Sequence, residues 1–341
     1  MDHTLFAGSV RKLDPQAYSK TPRIAVPDTA PPPKPDPFSE TWWWDSATCG
    51  RYDMIEVRRD GNMRIALPVY PSRKRGLTTL AMPPYTRTLS PELTLPQSGP
   101  FRRQRNIRTL VGDLVDRLPD YDSLRLMLDP EDETPFGFSL AGLQVRQQFT
   151  FRLAAGFSLE QTLHNCDQKS RNLIRSAGRR LEITQDIALS NFIALSHRER
   201  AASGNTHHFT ILERIFEQCT RRGQGAALSA WDGTKCVASV IMVWGSRTAY
   251  FWQSTRDRQS GVCGANLLLL WKCIEMAHAR NLTFDFDSYH SVETAKMVSS
   301  FGCPPVARPE INGRSLAWQV ATTAKAIARQ ALSREPDWQA W

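Results

Sequence analysis

The sequence predicts an α+β protein with a mixed sheet and two lobes. Three strand-length apolar runs lie between residues 227 and 253 and are separated by short turns. A helix-length apolar run and a further strand-like run follow them, which is the order of an antiparallel meander with a crossover. An earlier group of strand-like runs surrounds Asp60-Gly61. A chain of 341 residues is long enough for two domains.

The first 39 residues predict a flexible, proline-rich arm. Pro27 and the run Pro31–Pro37 favour extended backbone, and few large apolar side chains accompany them. We expect ordered structure to begin near Trp42–Trp44, where a first lobe at residues 40–148 starts. Three adjacent tryptophans cannot all face one core, although packing is their commonest use.

Elements of both lobes follow from local patterns. In the first lobe, Asp60-Gly61 between two apolar runs indicates a β-hairpin. Its other predicted elements are a strand at Gly76–Met82, a helix at Ile107–Leu118 and a strand at Leu124–Leu128. The second lobe is predicted at residues 149–332 and is followed by a tail at 333–341. Its first predicted elements are strand Gln148–Leu153, helix Ser158–Leu181, helices Asn191–Arg200 and Phe209–Arg222, and strands Ala227–Trp231, Val237–Trp244 and Thr248–Gln253. They are followed by helix Ala265–Arg280, strand Leu282–Phe286, a short helix from Val292, and a strand-to-helix segment at Leu316–Leu332.

A polar loop at Ser254–Gly264 runs directly into the helix that begins at Ala265. It carries Arg256, Arg258, Gly261 and Gly264. Glycine lets a ligand approach the backbone, and the first N–H groups of a helix have no partner within it. This loop is therefore predicted to hold an anionic group, as enzymes that use phosphate-bearing acyl donors require.

Several runs in order resemble the Fem-like acyltransferases of the GNAT (GCN5-related N-acetyltransferase) superfamily. They are the arginine-rich run within Ser170–Leu181, the hairpin Ala227–Trp231 with Val237–Trp244, the run Gly261–Trp271, FDFDS at Phe284–Ser288, and Phe301-Gly302. Together they span roughly residues 150–305. Ser288 stands where the family pattern has glycine, and Cys263 stands where it has glycine or alanine.

The resemblance implies two tandem GNAT-like lobes and the transfer of an acyl or aminoacyl group to an amine. The donor would be acyl-CoA or aminoacyl-tRNA, acting as a co-substrate rather than a permanently bound cofactor. The acceptor would be a small molecule or a cell-envelope precursor, held between the lobes. Carried over to this chain, the donor-binding residues are Arg256, Arg258, Gly261, Gly264, Ala265 and Asn266.

Asp287 and His290 are the predicted catalytic residues. They follow the strand Leu282–Phe286, close to the end that faces the reacting centre in this superfamily. Either side chain could accept the proton that an amine loses during acyl transfer. An alternative is that Asp287 caps the helix from Val292 and that His290 is an ordinary exposed histidine.

Further residues are predicted to bind the acceptor or a phosphate group. Arg171 and Arg175 belong to a stripe at i, i+4 and i+8 that no acidic residue neutralises, so tRNA or a phosphorylated acceptor could lie against it. A solvated face is the alternative. The remaining candidates are Lys296, Tyr52, Asp53 and Tyr85.

Charge and cysteine content indicate the compartment and the ligands. The net charge is +9, and residues 51–108 carry twelve Arg or Lys against four Asp or Glu, which indicates anionic ligands or a solvated basic surface. Seven scattered cysteines show no metal-ligand spacing. The sequence shows no signal peptide and no membrane span. Together with the scattered cysteines, this predicts a cytoplasmic protein with reduced thiols. The oligomeric state stays open.

Two other functions compete with acyl transfer. The departures at Cys263 and Ser288 would suit a non-catalytic GNAT-like module that binds nucleic acid or a protein. The pair Asp285 and Asp287 would suit a metal-dependent glycosyltransferase, although the neighbouring residues resemble the Fem-like pattern more closely. No metal site is predicted.

Overall fold

One mixed β-sheet runs through both lobes. The computed structural model describes residues 33–74, 76–200, 208–287, 292–316 and 318–320. Within these ranges twelve strands and nine α-helices are present. No helix among the described residues is both long and apolar enough to cross a membrane.

The first lobe contains a 3₁₀ helix at Pro37–Ser39, followed by α1 (Thr41–Thr48), β1 (Asp53–Arg59), β2 (Met63–Lys74), β3 (Leu77–Ala81), β4 (Glu92–Thr94), α2 (Pro100–Asp116), β5 (Ser123–Met127) and α3 (Pro135–Leu140). The second contains β6 (Gln144–Leu153), α4 (Leu159–Asn165), α5 (Gln168–Arg180), β7 (Glu182–Asp186), α6 (Ser190–Arg200), α7 (Phe209–Arg221), β8 (Gly225–Asp232), β9 (Lys235–Trp244), β10 (Thr248–Arg256), α8 (Ala265–His278), β11 (Thr283–Asp285), α9 (Val292–Ser299) and β12 (Pro305–Arg314).

Strand β12 joins the two lobes. The sheet order is β1-β2-β3-β5-β12-β6-β11-β10-β9-β8-β7, with β4 beside β2. Strand β12 pairs antiparallel with β5 on one side and with β6 on the other. The sequence pattern did not predict it, because its buried alternate positions are polar: Arg308, Glu310 and Asn312. The predicted segment Leu316–Leu332 mostly lies outside the described residues.

The hairpin predicted at Asp60-Gly61 is confirmed, and one predicted helix is wrong. β1 and β2 pair in register around Gly61 and Asn62, both at positive φ. The predicted helix Ser158–Leu181 is instead two helices, α4 and α5. The chain is extended at Cys166, and the Asp167 carboxylate accepts hydrogen bonds from the N–H groups of Lys169 and Ser170 (2.9 and 3.2 Å). An N-cap of this kind begins a new helix rather than continuing the old one.

Alternate residues of β10 face two different cores. Tyr250 and Trp252 lie in a core shared with the first lobe and with helices α1, α6 and α7. Ala249 and Phe251 lie in a second core, which packs against α5 and α8. The sheet is therefore covered by helices on both faces in the second lobe.

Packed structure begins before Trp42, earlier than the predicted arm boundary implied. Phe38 is fully buried against Trp43 and Tyr250. The carbonyl of Lys34 accepts from Ser246 N at 2.9 Å, so the segment crosses to the second lobe. A side chain at Gly245 would collide with the carbonyls of residues 34 and 35 at 2.5 Å. Residues 1–32 lie outside the described part.

Candidate active site at the parting of two strands

Strands β10 and β11 are parallel neighbours that diverge after a short paired stretch. They pair only over Thr248–Tyr250 and Thr283–Asp285. Strand β10 continues to Arg256, whereas β11 ends and Phe286 N bonds to the Phe151 carbonyl of β6 at 3.0 Å. One edge of β10 beyond Tyr250 therefore has no strand partner within the described residues, and its backbone can pair with an extended ligand.

A β-bulge marks the point of parting. The register of β10 against β9 shifts between Phe251 and Gln253, which leaves Trp252 out of the ladder. Two residues of the first lobe form hydrogen bonds with Trp252 at this bulge. Arg87 Nη2 donates to the Trp252 carbonyl (2.7 Å), and the Trp252 indole donates to the Tyr85 carbonyl (2.8 Å).

Arg87 also reaches the other strand. Its Nε lies 2.6 Å from Asp287 Oδ2, just beyond β11. One guanidinium from the first lobe thus bridges the two diverging strands of the second. A planar, permanently charged fork suits this double contact better than lysine would.

Asp287 is fixed by charge and by backbone geometry. Its φ is +64°, and Arg308 Nη1 lies 3.5 Å from its Oδ1. The Asp287 N–H donates to Asp285 Oδ1 at 2.8 Å, and its carbonyl accepts from Thr150 Oγ1 at 3.1 Å. Its carboxylate is therefore held between the guanidiniums of Arg87 and Arg308. His290 and Ser288 lie outside the described residues.

Asp285 is the centre of a buried charge network. It is fully buried and accepts from Arg152 Nε (2.7 Å), Arg308 Nη2 (2.9 Å) and Thr150 Oγ1 (2.5 Å). Burial alone would raise the pKa of this carboxyl, but the charges of Arg308 and Arg152 hold it below the usual value. Asp285 is thus an ionised structural anchor at the end of β11.

Asp36 and Tyr250 border this network. Burial raises the pKa of Asp36 to about 7, although Thr88 and the Phe38 N–H donate hydrogen bonds to its carboxylate. Burial, followed by the neighbouring charges of Asp36 and Asp285, raises the pKa of Tyr250 well above its usual range. The Tyr250 hydroxyl has no hydrogen-bond partner among the described residues.

The predicted donor loop leads into an uncapped helix. Gly264 precedes α8 with φ +89°, and within the described ranges no side-chain hydrogen bond caps the helix. A Cβ there would lie 2.7 Å from the Leu173 carbonyl, so glycine permits the contact between α8 and α5. Arg256 is exposed, while Arg258 contacts Glu199, which accepts its N–H at 3.3 Å. The buried Oδ1 of Asn266 has no hydrogen-bond partner within the described residues.

Two open cavities lie along α4 and α5. One of about 590 Å³ is lined by Asp167, Gln168, Lys169, Asn172, Leu173 and Ser176. The other, about 350 Å³, is lined by Glu160, Leu163, His164, Arg171 and Arg175. Leu173 connects the first cavity to Gly264 and hence to the start of α8. The predicted phosphate-binding pair Arg171 and Arg175 shares the second cavity, although Arg171 already donates to the His164 and Cys166 carbonyls.

Of the other predicted acceptor residues, the structure brings one to the parting of the strands. The Tyr85 ring packs at 5.9 Å from the Trp252 ring, and its backbone φ is +64°. Tyr52 packs instead against Trp44 at 5.8 Å. Asp53 begins β1, and Lys296 is exposed on α9.

The Asp285–Asp287 pair does not have the form of a metal site. Both carboxylates are bound by guanidinium groups, so a dication would meet the positive charges of Arg87, Arg152 and Arg308. No group of three or more potential ligands occurs among the described residues.

Comparison with known proteins identifies the second lobe. Residues 161–293 match the acetyltransferase (GNAT) domain family. This stretch of the second lobe is therefore similar to a GNAT domain. No curated protein is detectably similar to the whole sequence.

Solved structures show that the two-lobed fold is Fem-like. The crystal structure of FemX superposes with a TM-score of 0.61 at 10% identity, covering 81% of this chain and 92% of FemX. A conserved protein of unknown function from Bacteroides thetaiotaomicron VPI-5482 gives 0.51 at 9% identity, covering 82% and 90%. A tandem GNAT protein from the clavulanic acid biosynthesis pathway gives 0.49 at 12% identity, covering 83% and 90%. The superposition on FemX and the GNAT family match confirm the predicted α+β fold with a GNAT-like mixed sheet.

The three arginines that contact Asp285 and Asp287 were not predicted from the sequence as site residues. Arg87 comes from the first lobe, Arg152 from β6 and Arg308 from β12, so they are far apart along the chain. Arg152 and Arg308 lie next to apolar residues within β6 and β12, and an arginine at such a position was the available signal. Sequence alone gives no partner for it.

Proposed function

We propose that this protein transfers an acyl or aminoacyl group from a phosphate-bearing carrier to an amine held between its lobes. The observation that supports this most directly is the unpaired edge of β10 beyond Tyr250, which leads from the Trp252 bulge to the uncapped start of α8. An extended carrier arm could pair with that edge. Its phosphate could then meet the first N–H groups of α8.

The donor end of the proposal rests on Arg256, Arg258, Gly261, Gly264, Ala265 and Asn266. The positive end of the α8 dipole favours a negative group, and exposed Arg256 can add a charge-assisted hydrogen bond. The unsatisfied Asn266 Oδ1 offers an acceptor to an amide or amino group of the carrier. Cys263 occupies the third fixed position of the loop, and its side chain is exposed.

The donor is acyl-CoA or aminoacyl-tRNA, both of which contain phosphate groups and an adenosine. The stripe of Arg171 and Arg175 beside the α4–α5 cavities extends the basic surface beyond what a small donor needs. This favours the larger polyanion. Arg175→Glu should therefore weaken tRNA binding more at low salt than at high salt, and should leave acetyl-CoA binding unchanged.

Transfer would proceed by attack of the acceptor nitrogen on the donor carbonyl carbon. The new C–N bond forms as the bond to the carrier sulfur or ribose oxygen breaks, and the nitrogen proton passes to a base and then to the leaving group. The Asp287 carboxylate is already held in ion pairs with Arg87 and Arg308. We assign it to orienting the turn after β11, and we retain His290 as the proposed proton acceptor.

The acceptor would enter from the lobe seam near Tyr85, opposite the core that packs α5 and α8. A small amine and an amine of a cell-envelope precursor both fit this description. All seven cysteines are free thiols, which supports a cytoplasmic site of action.

Titration calorimetry with acetyl-CoA and with aminoacyl-tRNA tests the donor site. The double variant Arg256→Ala/Arg258→Ala should weaken binding of the true donor by roughly tenfold, as expected when charge-assisted contacts are lost. Arg58→Ala, an exposed arginine on β1, is the matched control and should bind normally. If neither carrier binds the unaltered protein, the chain is instead a non-catalytic module.

A further inference from the structure

A surface of the first lobe combines exposed apolar side chains with unpaired arginines. We name it the α2–α3 patch: Phe101, Phe136 and Leu140 with Arg102, Arg105 and Arg108. The exposed fractions of the three apolar residues are 78%, 56% and 63%. Large apolar side chains that cluster at a surface commonly mark an interaction site.

Helix α2 explains why the patch faces outward. Its inner side buries Ile107, Leu110, Val111 and Leu114 in the first core. Phe101, Arg105 and Arg108 follow the spacing i, i+4 and i+7, so they share one outer side of the helix. The apolar residue and the charges are therefore presented together.

Helix α3 brings the other two apolar residues to the same place. Gly137 allows a close approach to α2, since a Cβ there would lie 2.9 Å from the Val111 side chain. Phe138 then enters the core, whereas Phe136 and Leu140, four residues apart, stay outside. The guanidinium of Arg108 lies 5.9 Å from the centre of the Phe136 ring, which connects the two helices across the patch.

The charge of the patch is positive and is not neutralised within it. Arg103 is the exception, because it forms a bidentate pair with Glu133 (2.9 and 2.5 Å) that ties α2 to the start of α3. Among the described residues, no acidic side chain pairs with Arg102, Arg105 or Arg108.

We infer that the α2–α3 patch docks the protein on an anionic lipid surface. Aromatic and aliphatic side chains can enter the headgroup boundary, while the arginines meet the negative headgroups. A duplex nucleic acid keeps its bases stacked inside the helix, so it would contact the arginines but not three exposed apolar side chains. Three apolar residues and three charges favour reversible rather than permanent binding. This inference does not depend on the proposed acyl transfer.

Vesicle flotation with the full chain tests the inference. Vesicles of phosphatidylcholine alone should bind little protein, and vesicles that also contain phosphatidylglycerol should bind it in a salt-dependent manner. Arg105→Glu should weaken binding to the anionic vesicles by roughly tenfold, because the charge reversal removes an attraction to the headgroups and adds a repulsion. The charge-matched control Arg73→Glu, on β2, should bind as the unaltered protein does.

The apolar part of the patch is tested separately. The triple change Phe101→Ser/Phe136→Ser/Leu140→Ser should abolish flotation, whereas Ile187→Ser, at a residue 95% exposed in the second lobe, should not. All these side chains are exposed, so an unchanged thermal midpoint verifies folding.

Three outcomes would overturn the inference. The first is equal binding to both kinds of vesicle. The second is binding to a duplex RNA that Arg105→Glu abolishes and the triple serine variant retains, which would assign the patch to nucleic acid. The third is a dimer that the triple serine variant converts to a monomer, which would assign it to self-association.

Discussion

At the scale of single residues, Arg87 makes the contacts that hold the two strands of the candidate site in place. It connects the Trp252 carbonyl of β10 with the Asp287 carboxylate beyond β11, and it comes from the other lobe. Because the Asp287 side chain is 4% exposed, its charge must be compensated inside the protein. Arg87 therefore stabilises both the contact between the lobes and the end of β11 at Asp287.

Arg87→Met should lower the free energy of unfolding by about 3 kcal/mol, since it leaves a buried carboxylate with one fewer partner. Urea denaturation measures this change. In a double-mutant cycle, Asp287→Asn should recover part of the loss in the Arg87→Met background. Strict additivity of the two changes would contradict the pairing.

Asp36 should make stability depend on pH. Its pKa is about 7 in the folded protein against 3.8 in the reference state, so the folded state binds more protons between these values. Stability should therefore fall as pH rises through this window and level off above it. One pH unit is worth roughly 1.4 kcal/mol, so the contribution of Asp36 is about 4 kcal/mol.

Asp36→Asn removes this titration. The variant should show a flatter dependence of unfolding free energy on pH from pH 4 to pH 7, and it should be relatively more stable at the alkaline end. A dependence identical to that of the unaltered protein would show that Asp36 is not the group responsible.

At the scale of elements, the contact between α5 and the start of α8 shapes the donor loop. Gly264→Ala should destabilise the protein by about 3 kcal/mol, because a left-handed backbone costs roughly 1–2 kcal/mol and the Cβ also collides with the Leu173 carbonyl. Gly261→Ala, at φ +65° with no atom within 4 Å, should lose only about 1 kcal/mol. Equal losses of unfolding free energy in the two variants would contradict a collision between a Cβ at residue 264 and the Leu173 carbonyl.

Sequence patterns predicted the elements whose apolar residues follow a simple period. Helix α8 and the β8–β9–β10 meander were found for this reason. β12 was not, since its buried alternate positions are Arg308, Glu310 and Asn312, whose partners lie in distant segments. In the candidate site, the loop before α8 and Asp287 were proposed from the local sequence. Arg87 could not be proposed in this way, because its contacts form only when the two lobes meet.

At the scale of the whole molecule, one sheet makes the lobes mutually dependent. The C-terminal strand β12 lies between β5 and β6, and the segment from Lys34 crosses from the first lobe to the second. Neither lobe therefore has an independent sheet. The 12-stranded sheet should unfold as one unit.

Urea unfolding followed by tryptophan fluorescence and by far-ultraviolet circular dichroism should give coincident transitions. Ile311→Asp, which places a charge at a fully buried position of β12, should destabilise both lobes together. Two separate transitions, with only one shifted by the variant, would contradict this dependence.

The central claim is that an acyl carrier lies along the unpaired edge of β10 with its phosphate at the start of α8. Hydrogen–deuterium exchange with and without acetyl-CoA or aminoacyl-tRNA measures this directly. The account predicts slower exchange on donor binding at the amides of Phe251–Arg256 and of the first turn of α8. Donor binding that protects other segments and leaves both of these unchanged would contradict it.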